Sequence, residues 1–441
     1  MSLISTMIET YKANNLSDEE IKKLQNKRFK KLVKYAKNNS EYFKGLYKDV
    51  KEDFDLEDLS TTNKIDLMNN FDKYITDKNI SMNRIEQFTS NIDNVGRMID
   101  NKYLIFKTSG STGNPVVVLY DKKNIDVSSS VAALRTFARK EDFKSFMKNG
   151  KRTAGVFANY GFYLACGMSR YLELKMKKKN KITIDVNSKE ESIIKELNRF
   201  NPSMLSGYPS NLALLSNFNE LTIKPDIVIT GWELLTNEIR KKLEKKFNCY
   251  VQTHYSCTEA GEIACECSEK HLHINEDWVI VEPVDKNNKP VGYNTLSDKV
   301  LITNLSNYIE PFIRYELTDR VIVHSEKCKC GKNTHWLEIE GRTDDILNFK
   351  DNIMIAPMSF YKILEEIDGI TRFQIIQKSI NKLELRLTAN NKEEVFEIAK
   401  NELIEFLNSK NIFDIDIVLS NLEPQSNKIS GKFNHIYKDF E

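Results

Sequence analysis

A net field of one sign, a long apolar run and a tandem repeat are all missing from this 441-residue chain. Sixty-five basic residues stand against sixty-three acidic ones, a formal +2, so the charge balance draws it neither to nucleic acid nor to a membrane surface. No stretch reaches the roughly 18 consecutive apolar residues of a membrane helix. Residues 1–10 also lack the basic-then-apolar layout of a secretory signal, and low-complexity tracts are absent. The seven cysteines are odd in number and mostly late, which fits reduced thiols in the cytoplasm better than a disulfide framework. At this length two or three domains are expected, with ample chain for a core.

What is present centres on Thr108-Ser109-Gly110-Ser111-Thr112-Gly113-Asn114-Pro115, a turn between two apolar runs at 103–106 and 116–120. Four hydroxyl residues and two glycines fill its first six positions. Glycine allows φ > 0, so successive N–H groups can face one concavity, and hydroxyls add donors. That chemistry suits a polyphosphate; the bland alternative is a Ser/Gly loop without a ligand. No lysine follows the second glycine, so this is not the nucleotide loop ending in Gly-Lys-Ser/Thr.

Ser17 to Glu20 reads as a capping box opening an amphipathic helix. Residues 127–143 and 167–176 read as helices, with a strand and turn at 155–161 between them. A strand follows at 181–186, then a helix capped by Ser188 with Glu191 three residues on. The strand at 225–230, a helix capped by Thr236 and a strand at 249–254 form a βαβ unit, which requires a parallel pair. Parallel strands present their carboxyl ends on one edge, where open α/β sheets bind ligands. Gly231-Trp232-Glu233 and Tyr255-Ser256-Cys257-Thr258-Glu259 leave at that edge, so Glu233, Tyr255 and Glu259 should share a crevice. Later strands are expected at 300–304 and at 320–324, with Asp319 just before the latter. A polar turn at Gly341-Arg342-Thr343-Asp344-Asp345 precedes a small α+β unit of about a hundred residues.

Taken in order, "TSGSTGNP", "GYPS", "YSCTE", "RYELTD", "GRTDDIL" and "SGK" resemble the motifs of the adenylate-forming superfamily. Together with "LVKYAKNNSEYFKGLY" and "DLSTTNKIDL" near the start, they look most like its phenylacetate–coenzyme A ligase branch. The resemblance implies an α/β fold: a large multi-sheet adenylation domain over 1–341 and a small mobile α+β lid over 342–441. It implies ATP-dependent conversion of a carboxylic acid to an acyl-adenylate, then acyl transfer to coenzyme A. An amine, a hydroxyl or a carrier-protein thiol is the alternative acceptor, and a non-catalytic nucleotide binder the alternative class. Carried over, Thr108, Ser109, Gly110, Ser111, Thr112 and Gly113 would hold the β- and γ-phosphates. Tyr255 would stack on adenine, Thr258 would contact the α-phosphate and Glu259 would hold Mg²⁺. Gly231, Trp232 and Glu233 would line the adenine and acyl pocket, Asp319 would bind the ribose, and Arg342 would lie near by. Asp344 would be the hinge, and Lys432 would bridge the attacking carboxylate and the α-phosphate. Tyr160, Gly161, Phe162 and Tyr208 complete the expected pocket, whose aromatic character leans toward a flat or apolar acid. The dull readings are a surface Glu259, a turn-forming Asp319 and a tail lysine at 432.

Cys265-Glu266-Cys267, His271, His273 and Cys328-Lys329-Cys330 offer thiolate and imidazole ligands suited to zinc. The resemblance selects Cys267, His273, Cys328 and Cys330, with Cys265 or His271 as substitutes; the alternative is ordinary reduced thiols. Departures from the family pattern are Ser256 for glycine, Asp351 within a stretch where glycine meets the coenzyme A arm, and His435 for arginine. Oligomeric state, monomer or homodimer, is left open.

Overall fold

The computed structural model of the protein describes residues 2–108, 115–176, 180–355, 357–427 and 431–440. Its largest layer is a nine-stranded sheet. From one edge it runs Asp319–His324, Trp336–Arg342, Leu272–Ile274, Gly261–Glu266, Tyr250–Cys257, Ile227–Gly231, Met204–Gly207, Thr153–Phe157, Lys181–Asp185. The last five are mutually parallel, and from Tyr250–Cys257 toward the other edge pairing is antiparallel. Helices Leu164–Met176, Glu190–Phe200, Pro209–Leu215 and Asn237–Phe247 form the crossovers, and the expected βαβ unit is present with its strands parallel.

Two three-stranded sheets flank this layer. One pairs Tyr103–Lys107 antiparallel to Val117–Tyr120, which brings both ends of the Ser/Gly turn together. The other joins Val279–Val284, Lys299–Asn304 and Tyr315–Leu317. A separate apolar core gathers residues from Leu347 to Ile436 around a four-stranded sheet and the helix Lys392–Ser409. The capping box at Ser17 and Glu20 is formed, and Thr236 caps its helix through the Ile239 amide.

Three elements differ from the sequence reading. The helix expected over 127–143 is two, Lys122–Arg135 and Lys140–Lys148. Buried Gln252 explains the break: its Nε2 donates to the Thr136 carbonyl at 2.5 Å and its Oε1 accepts the Ala138 amide at 3.1 Å, a tertiary pairing that replaces helical bonds. Ser188 does not cap the next helix, because its amide closes a turn on the Asp185 carbonyl and Lys189 becomes the cap residue. Tyr255 does not leave its strand; the strand continues to Cys257 and folds back onto Gly261–Glu266.

Candidate active site

The carboxyl edge of the parallel strands carries three aromatic rings from three separate strands. Phe157 lies 4.9 Å from Trp232 and 6.2 Å from Tyr208, and Tyr208 lies 6.0 Å from Trp232, all edge to face. Such pairs add to the burial of the rings themselves. Phe157 is not among the residues expected from sequence; only the strand register brings it there. Tyr160, by contrast, is 62% exposed, beside Gly161, and Phe162 is buried in the main core.

Into this edge comes the tail loop. The Phe433 amide donates to Glu233 Oε1 at 2.7 Å, while Glu233 Oε2 accepts from the Ser210 hydroxyl at 2.7 Å. Asn211 Nδ2 donates to the Gly431 carbonyl at 3.2 Å. Burial pushes the Glu233 carboxyl above its usual range, opposed by these hydrogen bonds and by the Lys432 charge. Lys432 is itself held below the usual lysine range by burial, which Glu233, Asp319 and Glu259 oppose and Arg342 reinforces. Four charged residues expected at the site therefore act on a lysine about a hundred positions or more from three of them. Glu233 is seen gripping the tail loop rather than simply lining a pocket.

The turn at Thr258 and Glu259 is tied from two sides. Tyr120 donates its hydroxyl to the Thr258 carbonyl at 2.9 Å, and Asn304 Nδ2 donates to the Glu259 carbonyl at 2.8 Å. The Glu259 side chain is buried and accepts from the Tyr315 hydroxyl at 3.2 Å; burial raises its pKa. Tyr255 is buried in the same wall, its phenol pushed up by burial and then by the Asp319 carboxylate. Asp319 pairs in register with Arg342, whose guanidinium donates to Thr318 Oγ1 at 2.8 and 3.1 Å. Thr343 to Asp345 follow as a 3-10 turn, which includes Asp344. Thr108 closes the base of the Ser/Gly turn by exchanging bonds with Val116; Ser109, Gly110, Ser111, Thr112 and Gly113 lie outside the described residues.

A second cluster sits at the other end of the Asp319 and Arg342 strands, where Cys328 and Cys330 lie in the connection between them. Cys267, His273, Cys328 and Cys330 bring one ligand atom each within 4.8 Å of one another. Cys267 Sγ is 3.7 Å from Cys328 Sγ, and Cys330 Sγ is 3.3 Å from His273 Nε2. His273 Nδ1 lies 2.9 Å from the Thr334 carbonyl, which takes the Nδ1 proton and leaves Nε2 as the ligand nitrogen. Cys265 faces elsewhere, packed with Val127, Val131 and Trp278. His271 stacks on Trp336, with Nδ1 3.3 Å from Cys328 Sγ.

No family model matches the chain. Its sequence is similar to protein CapK of Staphylococcus aureus, 24% identical over 397 residues that cover 83% of this chain and 78% of that protein. It is also similar to a phenylacetate-coenzyme A ligase of Thermus thermophilus, 23% identical over 420 residues, 88% of this chain and 87% of the ligase. Among solved structures, 2-hydroxyisobutyryl-CoA ligase in the postadenylation state with 2-HIB-AMP gives a TM-score of 0.71 at 15% identity, covering 97% of this chain and 91% of that one. The same ligase in the thioesterification state, with 2-HIB-AMP and CoA, gives 0.58 at 14% identity over the same shares. The chain thus shares the fold of 2-hydroxyisobutyryl-CoA ligase, and a phenylacetate-coenzyme A ligase is among its sequence relatives.

Proposed function

We propose that this protein activates a small-molecule carboxylic acid with ATP and passes the acyl group on, with coenzyme A as the leading acceptor. The observation that carries the proposal is the seating of the Lys432 loop on Glu233 and Asn211. In the first step a carboxylate oxygen attacks the α-phosphorus, the bond to the pyrophosphate oxygen breaks, and acyl-AMP forms. Two anions must meet, so positive charge aimed at the developing transition state is the main catalytic need. Lys432 supplies it, and its buried setting strengthens each interaction it makes. In the second step the thiol, losing its proton, attacks the acyl carbon and AMP leaves with the bonding pair.

In this reading Tyr255 lies against adenine, Asp319 takes the ribose hydroxyls with Arg342 close by, and Thr258 faces the α-phosphate. Gly231 and Trp232 line the pocket with Tyr208, and the turn from Thr108 to Gly113 receives the outer phosphates. Glu259 would hold Mg²⁺, a hard cation suited to carboxylate oxygen; a buried carboxyl whose pKa burial has raised is one a dication would ionise. The thiolate and imidazole set at Cys267, His273, Cys328 and Cys330 fits a structural zinc, closed by four protein ligands. The unit at 342–441 would turn about Asp344 between the steps. The higher TM-score with the postadenylation form than with the thioesterification form supports that reading. A hydroxyl, amine or carrier thiol is the alternative acceptor. Among the described residues no helix is long and apolar enough to cross a membrane, and we place the activity in the cytoplasm.

The test is acid-dependent exchange of labelled pyrophosphate into ATP across a broad acid panel. Exchange is expected with at least one acid, and Lys432→Ala should lower it about 10²–10³-fold, the cost of losing one charge-stabilising group. The same variant should discharge preformed acyl-AMP to a thiol at the wild-type rate. Exchange with no acid would overturn the proposal, and normal exchange by the variant would remove Lys432 from its role.

A further inference from the structure

Next to Tyr255, on the opposite face of the same strand, His254 and Glu262 form a polar pair that the steps above do not use. His254 is register-paired with Gly231 at the ligand-binding edge, and with Cys265 on the antiparallel side. The helix Lys122–Arg135 covers this face, its Val127 and Val131 packed on Cys265 and Trp278. The wall is thus apolar at one end and polar at the other. The His254 and Glu262 side chains keep 11% and 26% of their surface open, so the pair can be approached.

The protonation pattern is set by Gln252. Its Oε1 is occupied by the Ala138 amide and one N–H by the Thr136 carbonyl, so the second N–H points at His254 Nε2, 2.9 Å away. His254 Nε2 must therefore accept, and the neutral ring carries its proton on Nδ1. Nδ1 faces Glu262 Oε2 at 3.6 Å, beyond a good hydrogen bond, and Oε2 is a buried oxygen without a hydrogen-bond partner. His254, Glu262 and Cys265 are close enough to suggest a metal site. A metal on Nδ1 would need a proton on Nε2, directed at an N–H of Gln252, and that opposes it. What the pair lacks is a group that accepts from one member and donates to the other.

We propose that the acid bound here is a hydroxy acid, whose hydroxyl accepts from His254 Nδ1–H and donates to Glu262 Oε2. This rests on the carboxylate-activating reading of the site and narrows its substrate class. An ammonium group only donates and a methyl does neither, so of these three the hydroxyl alone matches both partners. At about 3.3 Å per residue along a strand, His254 lies within roughly 13 Å of Thr258. An acid long enough to cover that distance would reach the pair from the reacting carboxylate. Of the aromatic residues behind the expectation of a flat apolar acid, Tyr160 is exposed, Phe162 is buried in the main core, and Tyr208 and Trp232 pack edge to face with Phe157.

The test is pyrophosphate exchange with matched acids that differ only in one hydroxyl, amino group or hydrogen at each carbon position. One hydroxy acid should exceed its deoxy and amino counterparts by roughly 10²-fold or more in kcat/KM, because a site built to bond a hydroxyl is left unpaired by the analogue. Glu262→Gln should reduce that preference at least about 10-fold through KM while nucleotide binding, read by titration with AMP, stays unchanged. Equal exchange by deoxy counterparts, preference for an amino acid, or a variant that keeps the full preference would overturn the inference and leave the adenylation reading intact. Exchange with no acid at all would sink both.

Discussion

His435 shows how a single position near the tail loop has been turned inward. It sits among Phe433, Tyr361 and Phe373 at 4.5–5.0 Å, where burial pushes its imidazole down to about 3. Arg372 stands over Phe433, 3.9 Å from the ring. Between the folded value near 3 and the ordinary 6.5, the unfolded chain binds the extra proton, so stability rises with pH across that window. At pH 5 the group should cost about 2 kcal/mol relative to neutral pH. His435→Phe is expected to lose about that much less apparent stability than the wild-type chain when urea titrations at pH 7 and pH 5 are compared. An identical pH dependence would show that the ring is not held neutral. At this scale the candidate residues could be singled out because they bunch in short polar turns. Phe157, Ser210 as a partner of Glu233, and Asn211 were less so, since only folding brings them beside residues far away in sequence.

Among elements, the loop from Asn304 to Glu310 deserves the name of a clamp between two motifs. Asn304 holds the Glu259 carbonyl, Asn307 Nδ2 donates to the Leu119 carbonyl at 3.0 Å, and Glu310 Oε2 accepts the Leu119 amide at 2.7 Å. Leu119 belongs to the strand that follows the Ser/Gly turn, so one loop sets that turn against the Thr258–Glu259 turn. Burial holds the Glu310 carboxyl well above the carboxylate range, which favours its neutral form. Glu310→Gln, which keeps a neutral acceptor, should therefore remain near wild type in melting temperature. Glu310→Leu leaves a buried amide unpaired and should cost about 1–3 kcal/mol, with a raised KM for ATP. Matching behaviour of the two variants would contradict the clamp. The sequence did not reveal this loop, whose side chains act on distant backbone. Nor did it reveal the break after Arg135, where local helix periodicity continues but Gln252 takes the backbone groups. The βαβ unit was legible because its apolar runs, cap and spacing all agreed. Asp351, noted as a departure, adopts φ 60° and ψ 28°, a backbone form that usually favours glycine.

In the whole molecule, the sheet order sets Asp319 and Arg342 at one end of two neighbouring strands and the sulfur cluster at their other end. Cys328 and Cys330 lie in the connection between Asp319–His324 and Trp336–Arg342, the strands that bear Asp319 and Arg342. Metal analysis is expected to find about one zinc per chain. Cys328→Ser/Cys330→Ser should abolish it, lower the melting temperature and weaken AMP binding. Native protein free of zinc, or a variant with unchanged melting and binding, would dismiss the site. The resemblance named Cys267, His273, Cys328 and Cys330 as candidates, and only the three-dimensional arrangement shows that Cys265 packs elsewhere while His271 lies 3.3 Å from the Cys328 sulfur. The strand order was beyond reach of the sequence, because period-two alternation says which face a residue takes and not which neighbour it meets.

Gly431 holds φ +68°, and a Cβ built on it would come 2.1 Å from the Val186 side chain. One methyl group at that point would wedge the tail away from the sheet edge, with Lys432 carried along. Under the proposed function, such a chain would be stuck ajar, able to spend an activated acid handed to it but unable to charge one for itself.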